Sequence, residues 1–583
     1  MGCRYILLPD EHAAEAGTVS SHASDRLRSE GLLERHSCSG STLFASSDTP
    51  TLRVPGGGVI IGHVFLQNGT PLRETSAFVA SLSRLSRGDA ESSLLERCWG
   101  EYLLVQPGEG GMPSLRIMRD PSGGVACVYC ASEGAGFVTS DVSIATRLSL
   151  YERRVDWDFI PHFLAYPYVK TERTGLTGIR ELLPGCILGL RGVEAVIEQA
   201  WSPWRFVAPP RRLPRVDDAA VRLRAVVEET VKAWAAVDSA ALLELSGGLD
   251  SSIVATCLRE TVASIHCLTV VPTLPGADER LYAEAVTRSL NVDLDVETLD
   301  VASAHFDDPV PPWCVVPGVG PLQNAVDRIM ESVAAREELH CFYSGGGGDT
   351  VFGYLGGASP AADAFRERGF AAALRTIRDL SELHRCTIWL AAKLTLQQLT
   401  ASRDRPPRAN GELLNRARMP DRAHRHPWCD APPDALPGDR ERVDGLAATQ
   451  LFRDTLPRGM QRWFRLPLLS QPVMETCLSI PSWMWVTGGR NRAVARLAFS
   501  DALPAQVLHR KSKGNFSQYN GAVYRRNKEA MRRFLLEGRL QAHGLLDSVA
   551  LSAYLDRPLS PRDRSFMRIF DLCRAENWVR HQS

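Results

Sequence analysis

Ala241 to Glu260 reads ALLELSGGLDSSIVATCLRE. Leu242, Leu243 and Leu245 make a short apolar strand. Ser246-Gly247-Gly248-Leu249-Asp250-Ser251 is a turn, and Ile253 to Leu258 read as a buried helix. Strand, glycine turn, helix is the order a phosphate site needs. Glycines let backbone N–H groups close on an anion, and the helix N-terminus adds partial positive charge. An ordinary strand-to-helix turn shares that order, and three features separate this one. Hydroxyls flank the turn at Ser246, Ser251 and Ser252. Asp250 sits inside it, where it repels phosphate unless a divalent cation bridges them. The Gly-Lys-Ser ending of the commoner nucleotide loop is missing. The turn reads as a pyrophosphate site.

Upstream, Asp217 or Asp218 caps a helix running to about Val237, with Ala220, Leu223, Val226, Val227 and Val231 on one face. Downstream, Ser264 to Val271 is a second apolar strand, Asp278-Glu279 opens a helix, and Val292 to Val296 is a third strand. This alternation predicts a parallel sheet with helices on both faces and a ligand at the carboxyl ends of its strands. His340 to Tyr343 ends a further strand and runs into Ser344-Gly345-Gly346-Gly347-Gly348-Asp349-Thr350-Val351-Phe352-Gly353-Tyr354. A flexible linker also carries runs of glycine. It is not preceded by an apolar strand, nor followed by an acid and an apolar pair. One glycine turn is a weak signal; two in the same setting, about a hundred residues apart, are a strong one.

Together these loops resemble the pyrophosphate loop and the Ser-Gly-x-Gly-x-Asp-x-x-Phe-Gly signature of the asparagine synthetase-like amidotransferases. That family activates a carboxylate as an acyl-adenylate, and includes asparagine synthetase, β-lactam synthetase and the lasso peptide cyclases. The resemblance implies ATP and Mg²⁺. Asp250 and Asp349 become the metal ligands. Ser246, Gly247, Gly248, Asp250, Ser251, Ser344, Gly345, Gly346 and Asp349 surround the ATP pyrophosphate, and the backbone around Leu245 and Val270 receives adenine. Further on, Pro467-Leu468-Leu469-Ser470-Gln471-Pro472, Gly488-Gly489-Arg490 and Ser512-Lys513-Gly514 resemble the lasso peptide cyclase branch, where asparagine synthetases have an Asp after Pro-Phe-Leu. Lys513 matches the family's catalytic lysine, an ammonium at the α-phosphate and the developing oxyanion, with Lys511 a bystander. One departure stands out: asparagine synthetases carry acids at the positions of Gly346 and Thr350. No replacement base is evident, since Tyr343 and Glu279 are neighbours only in sequence.

Residues 1 to about 205 read mainly as strands and turns: Val59 to Phe65, the turn Asn68-Gly69, Cys98 to Val105 as a half-buried strand, Leu115 to Met118, and Val125 to Tyr129. The Trp99-Gly100 strand, the turn Arg119-Asp120-Pro121-Ser122-Gly123 and Leu183-Pro184-Gly185 fall in the order of the family's glutaminase half. The resemblance therefore implies an α+β, Ntn-type β-sandwich over 1–205, a Pro- and Arg-rich linker over 206–216, and an α/β ATP-pyrophosphatase domain with C-terminal helices over 217–583. In that family the glutaminase nucleophile is a Cys exposed as the first residue, its own amine serving as base. Here Gly2 stands there, and Cys3 carries an amide nitrogen, so the scaffold is kept and ammonia production is expected to be lost. Cys127 and Cys130 lie on a strand without a second pair and read as buried thiols.

Residues 360 to 400 read as helices, and 402 to 447 as a long surface loop. His424, His426 and Cys429 in that loop have metal-like spacing but read as a solvated cluster. Over 583 residues the formal net charge is +0, with 44% hydrophobic and 23% charged residues, which gives no sign of a nucleic-acid or membrane partner. Fourteen scattered Cys, no signal peptide and no long apolar run point to a reducing cytoplasm. The expected reaction is ATP-dependent: adenylation of an Asp or Glu side chain in a leader-cleaved precursor peptide, then attack by its N-terminal amine to close an isopeptide macrolactam. A leader peptidase and a leader-recognition protein are partners implied by the resemblance. The rivals are a β-lactam synthetase-like or asparagine synthetase-like ligase acting on a small molecule, and a catalytically degenerate nucleotide- or peptide-binding scaffold.

Overall fold

The computed structural model describes every residue except 1, 10–18, 39–40, 109–114, 132–135, 262–263, 275, 402–405, 456, 512–513, 515, 561–562 and 583. In the N-terminal half, two six-stranded antiparallel sheets face each other. Side chains at alternate positions fill the space between them: Tyr5 and Leu7, Leu43 and Ala45, Val59 and Ile61, Leu103 and Val105. The strand Cys98–Pro107 is buried along its whole length, not half-buried as its alternation suggested. Its outward residues Trp99 and Leu104 belong to the same core as the helix Val216–Ala235, where Trp99 and Phe65 pack edge-on against Trp234. That helix begins at the expected place, but Asp217 and Asp218 lie in its first turn and Arg215 is the N-cap, with no side-chain cap bond. The carboxylates act on the helix dipole instead.

The C-terminal half is built on five parallel strands, in the order Leu294–Leu299, Ser264–Pro272, Ala240–Glu244, Cys341–Ser344, Trp463–Arg465. The fifth was not evident in the sequence. Strand order reverses between Ala240–Glu244 and Cys341–Ser344, which pair directly. In an open parallel sheet a crevice forms at that reversal, outside the carboxyl ends. Both glycine loops leave from those two ends.

The halves share their cores. One cluster joins Phe65 and Trp99 to Trp234 and Leu243. Another joins Phe159 and Phe163 to Trp578 on the last helix, Met567–His581. The segment around 206–216 is docked, with Arg212 paired to Glu367 and Asp439. Of the loop expected over 402–447, the described residues 406–436 are irregular chain with short turns, but Trp428, Leu413 and Leu414 in it are buried, and Pro437–Thr455 is a helix.

Candidate active site

The loop Ser246–Ser251 turns sharply because Gly247 adopts φ +63 and lies against the backbone of Tyr282 and Ala283, where a Cβ would collide. Ser246 Oγ accepts from the Gly248 amide at 3.3 Å. The helix Leu249–Arg259 then starts with its amides facing the crevice side of the turn, and residues Leu249 to Leu258 are all buried. The second loop lies directly on the first. A Cβ on Gly345 would be 2.4 Å from the Ser251 amide, and one on Gly348 would be 2.5 Å from the Asp250 carboxyl carbon. The glycine run is therefore packing, not slack.

Between the loops and the segment 491–511 lies a cleft of ≈ 390 Å³. Ser246, Gly248, Asp250, Ser251, Ser344, Gly345, Gly346 and Asp349 all line it, so the two sequence motifs meet. Asp250 is buried and Asp349 half-buried. Both carboxylates converge on one atom: Arg492 Nη1 donates to Asp250 Oδ1 at 2.9 Å, to Asp250 Oδ2 at 2.8 Å and to Asp349 Oδ1 at 2.8 Å. A donor set made of carboxylate oxygens from two loops, open toward a phosphate-sized space, fits a hard dication completed by substrate phosphate and water. No cluster of three or more acidic, His or Cys ligands occurs among the described residues, as such a site requires none.

Several residues were not foreseen. Arg492 is one; in a chain so rich in Arg its type carried no signal. Glu244, at the end of its strand, lines the cleft and accepts from Arg458 Nη2 at 2.8 Å. Its signal was available, an acid inside an apolar strand. Arg510 reaches the carbonyl of Gly247 at 3.3 Å, pairs with Glu279 and stacks over Tyr282. Beside Arg492, Arg496 is pushed down to about 10, by burial first and by the neighbouring guanidinium second.

Other expectations change. Lys513 lies outside the described residues. Its flanks are held at the cleft: Lys511, expected to be a bystander, lines it, and the Gly514 amide donates to Glu279 Oε1 at 2.9 Å. Leu245 and Val270 do not line the cleft. Leu245 is buried with its amide bonded to the Leu268 carbonyl at 2.8 Å, and Val270 pairs in register with Glu297. Tyr343 is buried and donates to Asp238, so it is structural. His426 is buried, not solvated, and accepts from the Trp428 amide at 3.1 Å. In the N-terminal half, burial pushes the Cys3 thiol up to about 12 and the Cys127 thiol up to about 11. Neither is poised as a nucleophile. Arg119 and Asp120 brace their turn, Arg119 donating to the carbonyls of Leu182 and Gly123.

Residues 222–580 match the family model for asparagine synthase, more than half of the chain. The chain belongs to the asparagine synthase family. Putative glutamine-hydrolyzing asparagine synthetases of Mycobacterium bovis and Mycobacterium tuberculosis are 24% identical over 249 residues, 40% of this chain and 36% of theirs. The match thus spans about a third of the length of these curated relatives. Among solved structures, the allosteric regulatory enzyme of purine biosynthesis overlaps with a TM-score of 0.22 at 11% identity, covering 53% of this chain and 82% of its own. A glutamine phosphoribosylpyrophosphate amidotransferase from B. subtilis overlaps with a TM-score of 0.22 at 10% identity, covering 52% and 91%. Overlaps that low assign nothing. No described helix is long and apolar enough to cross a membrane.

Proposed function

We propose that this family member is an ATP-dependent carbon–nitrogen ligase that closes a peptide on itself through an isopeptide bond. The observation that carries the ligase reading is the convergence of Asp250 and Asp349 at the strand-order reversal, with glycine-loop amides beside them. A substrate carboxylate attacks the α-phosphorus of ATP, and pyrophosphate departs. The loop amides, the start of the helix Leu249–Arg259 and the cations Arg492, Arg510 and Lys511 receive the charge on the phosphates. A magnesium ion held by Asp250 and Asp349 would neutralise the charge growing on the leaving group. An amine then attacks the acyl-adenylate and AMP leaves. On the family resemblance, Lys513 steadies the oxyanion.

Two observations favour a peptide over a small molecule. The segments Pro467–Pro472 and Gly488–Arg490 resemble the lasso peptide cyclase branch, and the first seats Leu469 under Gly347 of the second loop. Beside the cleft lies a second cavity of ≈ 650 Å³, within the range of small-molecule pockets and open to more than a single amino acid. The helix Pro437–Thr455 runs along both spaces: Glu441, Asp444 and Ala448 line the cavity, Thr449 and Phe452 the cleft. Tyr168, Val169 and Lys170 of the N-terminal half form part of the cavity wall. That half then serves as a substrate wall, its Cys3 thiol buried away from chemistry. An α-amine with pKa near ~8 keeps a reactive neutral fraction near neutral pH and asks less of a base than a lysine amine would.

Incubation with ATP, Mg²⁺ and synthetic peptides bearing a free N-terminus and an internal Asp or Glu tests the reading. Loss of one water per peptide, with one AMP formed, is expected. AMP formation with free aspartate but no peptide would favour a small-molecule ligase. ATP–pyrophosphate exchange absent with every substrate would favour a binding scaffold.

A further inference from the structure

Arg492 is built in an unusual way for a surface-loop arginine. Its backbone sits at φ 53, in the left-handed region that residues other than glycine seldom adopt. Its side chain is only 8% exposed. One of its nitrogens serves both carboxylates, while its buried Nε has no hydrogen-bond partner. Its guanidinium lies 5.5 Å from the Tyr354 ring, which also lines the cleft. The bridging nitrogen occupies the point on which the two carboxylates converge. A dication bound by both must take nearly the same point at ~2.1 Å from each oxygen. Guanidinium and metal therefore cannot be there together.

We infer that Arg492 is a resident counter-charge that holds the Asp250–Asp349 pair together until metal arrives with nucleotide, and is then displaced onto the phosphates. This rests on the metal reading of that pair. Without Arg492 the buried Asp250 and half-buried Asp349 carboxylates lose the cation that bridges them and repel each other. With it, a metal ion alone must first break three charge-assisted hydrogen bonds, so it binds weakly. Nucleotide gives the released guanidinium, its otherwise unpartnered Nε included, a new anionic partner. Metal and nucleotide binding thus become coupled, each strengthening the other, in an enzyme that binds neither tightly alone. Arg492 is a positioning residue in this scheme: it sets when the metal binds.

The test uses Mn²⁺ alone on the full chain, titrated by the electron spin resonance of free Mn²⁺, with and without ATP. In Arg492→Gln, Mn²⁺ without ATP is expected to bind more tightly than in the wild type, by about 5- to 150-fold, the usual size of such coupling. The gain in Mn²⁺ affinity on adding ATP should shrink. The variant's Tm should fall in EDTA and recover with Mn²⁺. A merely structural arginine would give unchanged or weaker Mn²⁺ binding on removal, and that result overturns the inference. Asp349→Asn in the same background separates the two levels. If Mn²⁺ binds Arg492→Gln as well without the Asp349 charge as with it, the metal reading itself is wrong. Should the Gln variant fail to fold, Arg492→Lys gives the same comparison. Its ammonium sits one bond nearer the backbone than the bridging Nη1 and falls short of the point between the carboxylates, and Mn²⁺ affinity must again rise without ATP.

Discussion

Cys3 and Asp250 stand for two regions built in opposite ways. Around Cys3, burial is complete enough to push the thiol up to about 12, and the strand Cys98–Pro107 of the facing sheet is buried along its whole length. Around Asp250, loops approach so closely that only glycine fits, yet the carboxylates border an open cleft that Arg492, bonded to both of them, lines together with Arg510 and Lys511. The difference teaches where this chain still spends structural cost. The N-terminal sandwich contributes packing and a cavity wall. The crevice at the parallel sheet keeps close charges and tight turns that folding alone does not ask for.

Substitutions in the two regions should break this contrast if it is false. Asp349→Asn is expected to cut ATP–pyrophosphate exchange by at least ~10²-fold with little change in Tm, because one of the two negative charges that would hold the metal against the leaving group is lost. Cys3→Ala should leave exchange within about twofold; a comparable loss there would mean the thiol is chemically engaged. Gly348→Ala should come next. Its Cβ would lie 2.5 Å from the Asp250 carboxyl, so the loops must separate, costing about 1–3 kcal/mol of stability and displacing Asp250. Calorimetry with nucleotide titration reads both. Glu475 sharpens the account of the joint between the halves. Its carboxyl accepts from Trp201 Nε1 at 2.9 Å and from Gln471, and burial pushes it up to about 7 from 4.5. A raised carboxyl stabilises the fold in its protonated form. The contribution is full below 4.5 and lost as pH rises through about 7. Glu475→Gln should therefore remove on the order of 3 kcal/mol of pH dependence across that window, seen as a flatter Tm profile. Cys3 should also alkylate more slowly than the part-exposed Cys38 at pH 8, the smallest of these effects.

Much of the site was legible because its chemistry is local. Gly247, Asp250, Gly345 and Asp349 carry their reason in type and spacing, and an apolar strand announces each loop. What stayed hidden depends on partners distant in sequence. The strand Trp463–Arg465 has three residues and holds a fully buried arginine, tolerable only because Asp238 and Glu101 pair with it and Trp234 lies under it at 4.2 Å. The helix Pro437–Thr455 reads as loop because Pro437, Gly438 and Gly445 interrupt the pattern. Its buried face also uses charge: Asp439 pairs with Arg212, and Arg442 donates to the Ile480 carbonyl. Cys98–Pro107 looked half-exposed because the helix that covers it lies more than a hundred residues on. Arg492 could not be singled out from composition. Its position follows from the fold that brings residue 492 against residues 250 and 349.

The most direct measurement is anomalous diffraction from crystals soaked with Mn²⁺ and a non-hydrolysable ATP analogue. The account predicts one manganese peak between Asp250 and Asp349, touching the analogue's phosphates, with the Arg492 guanidinium turned away from both carboxylates. Phosphates seated away from the two glycine loops, or manganese bound elsewhere with Arg492 still bridging, would contradict it.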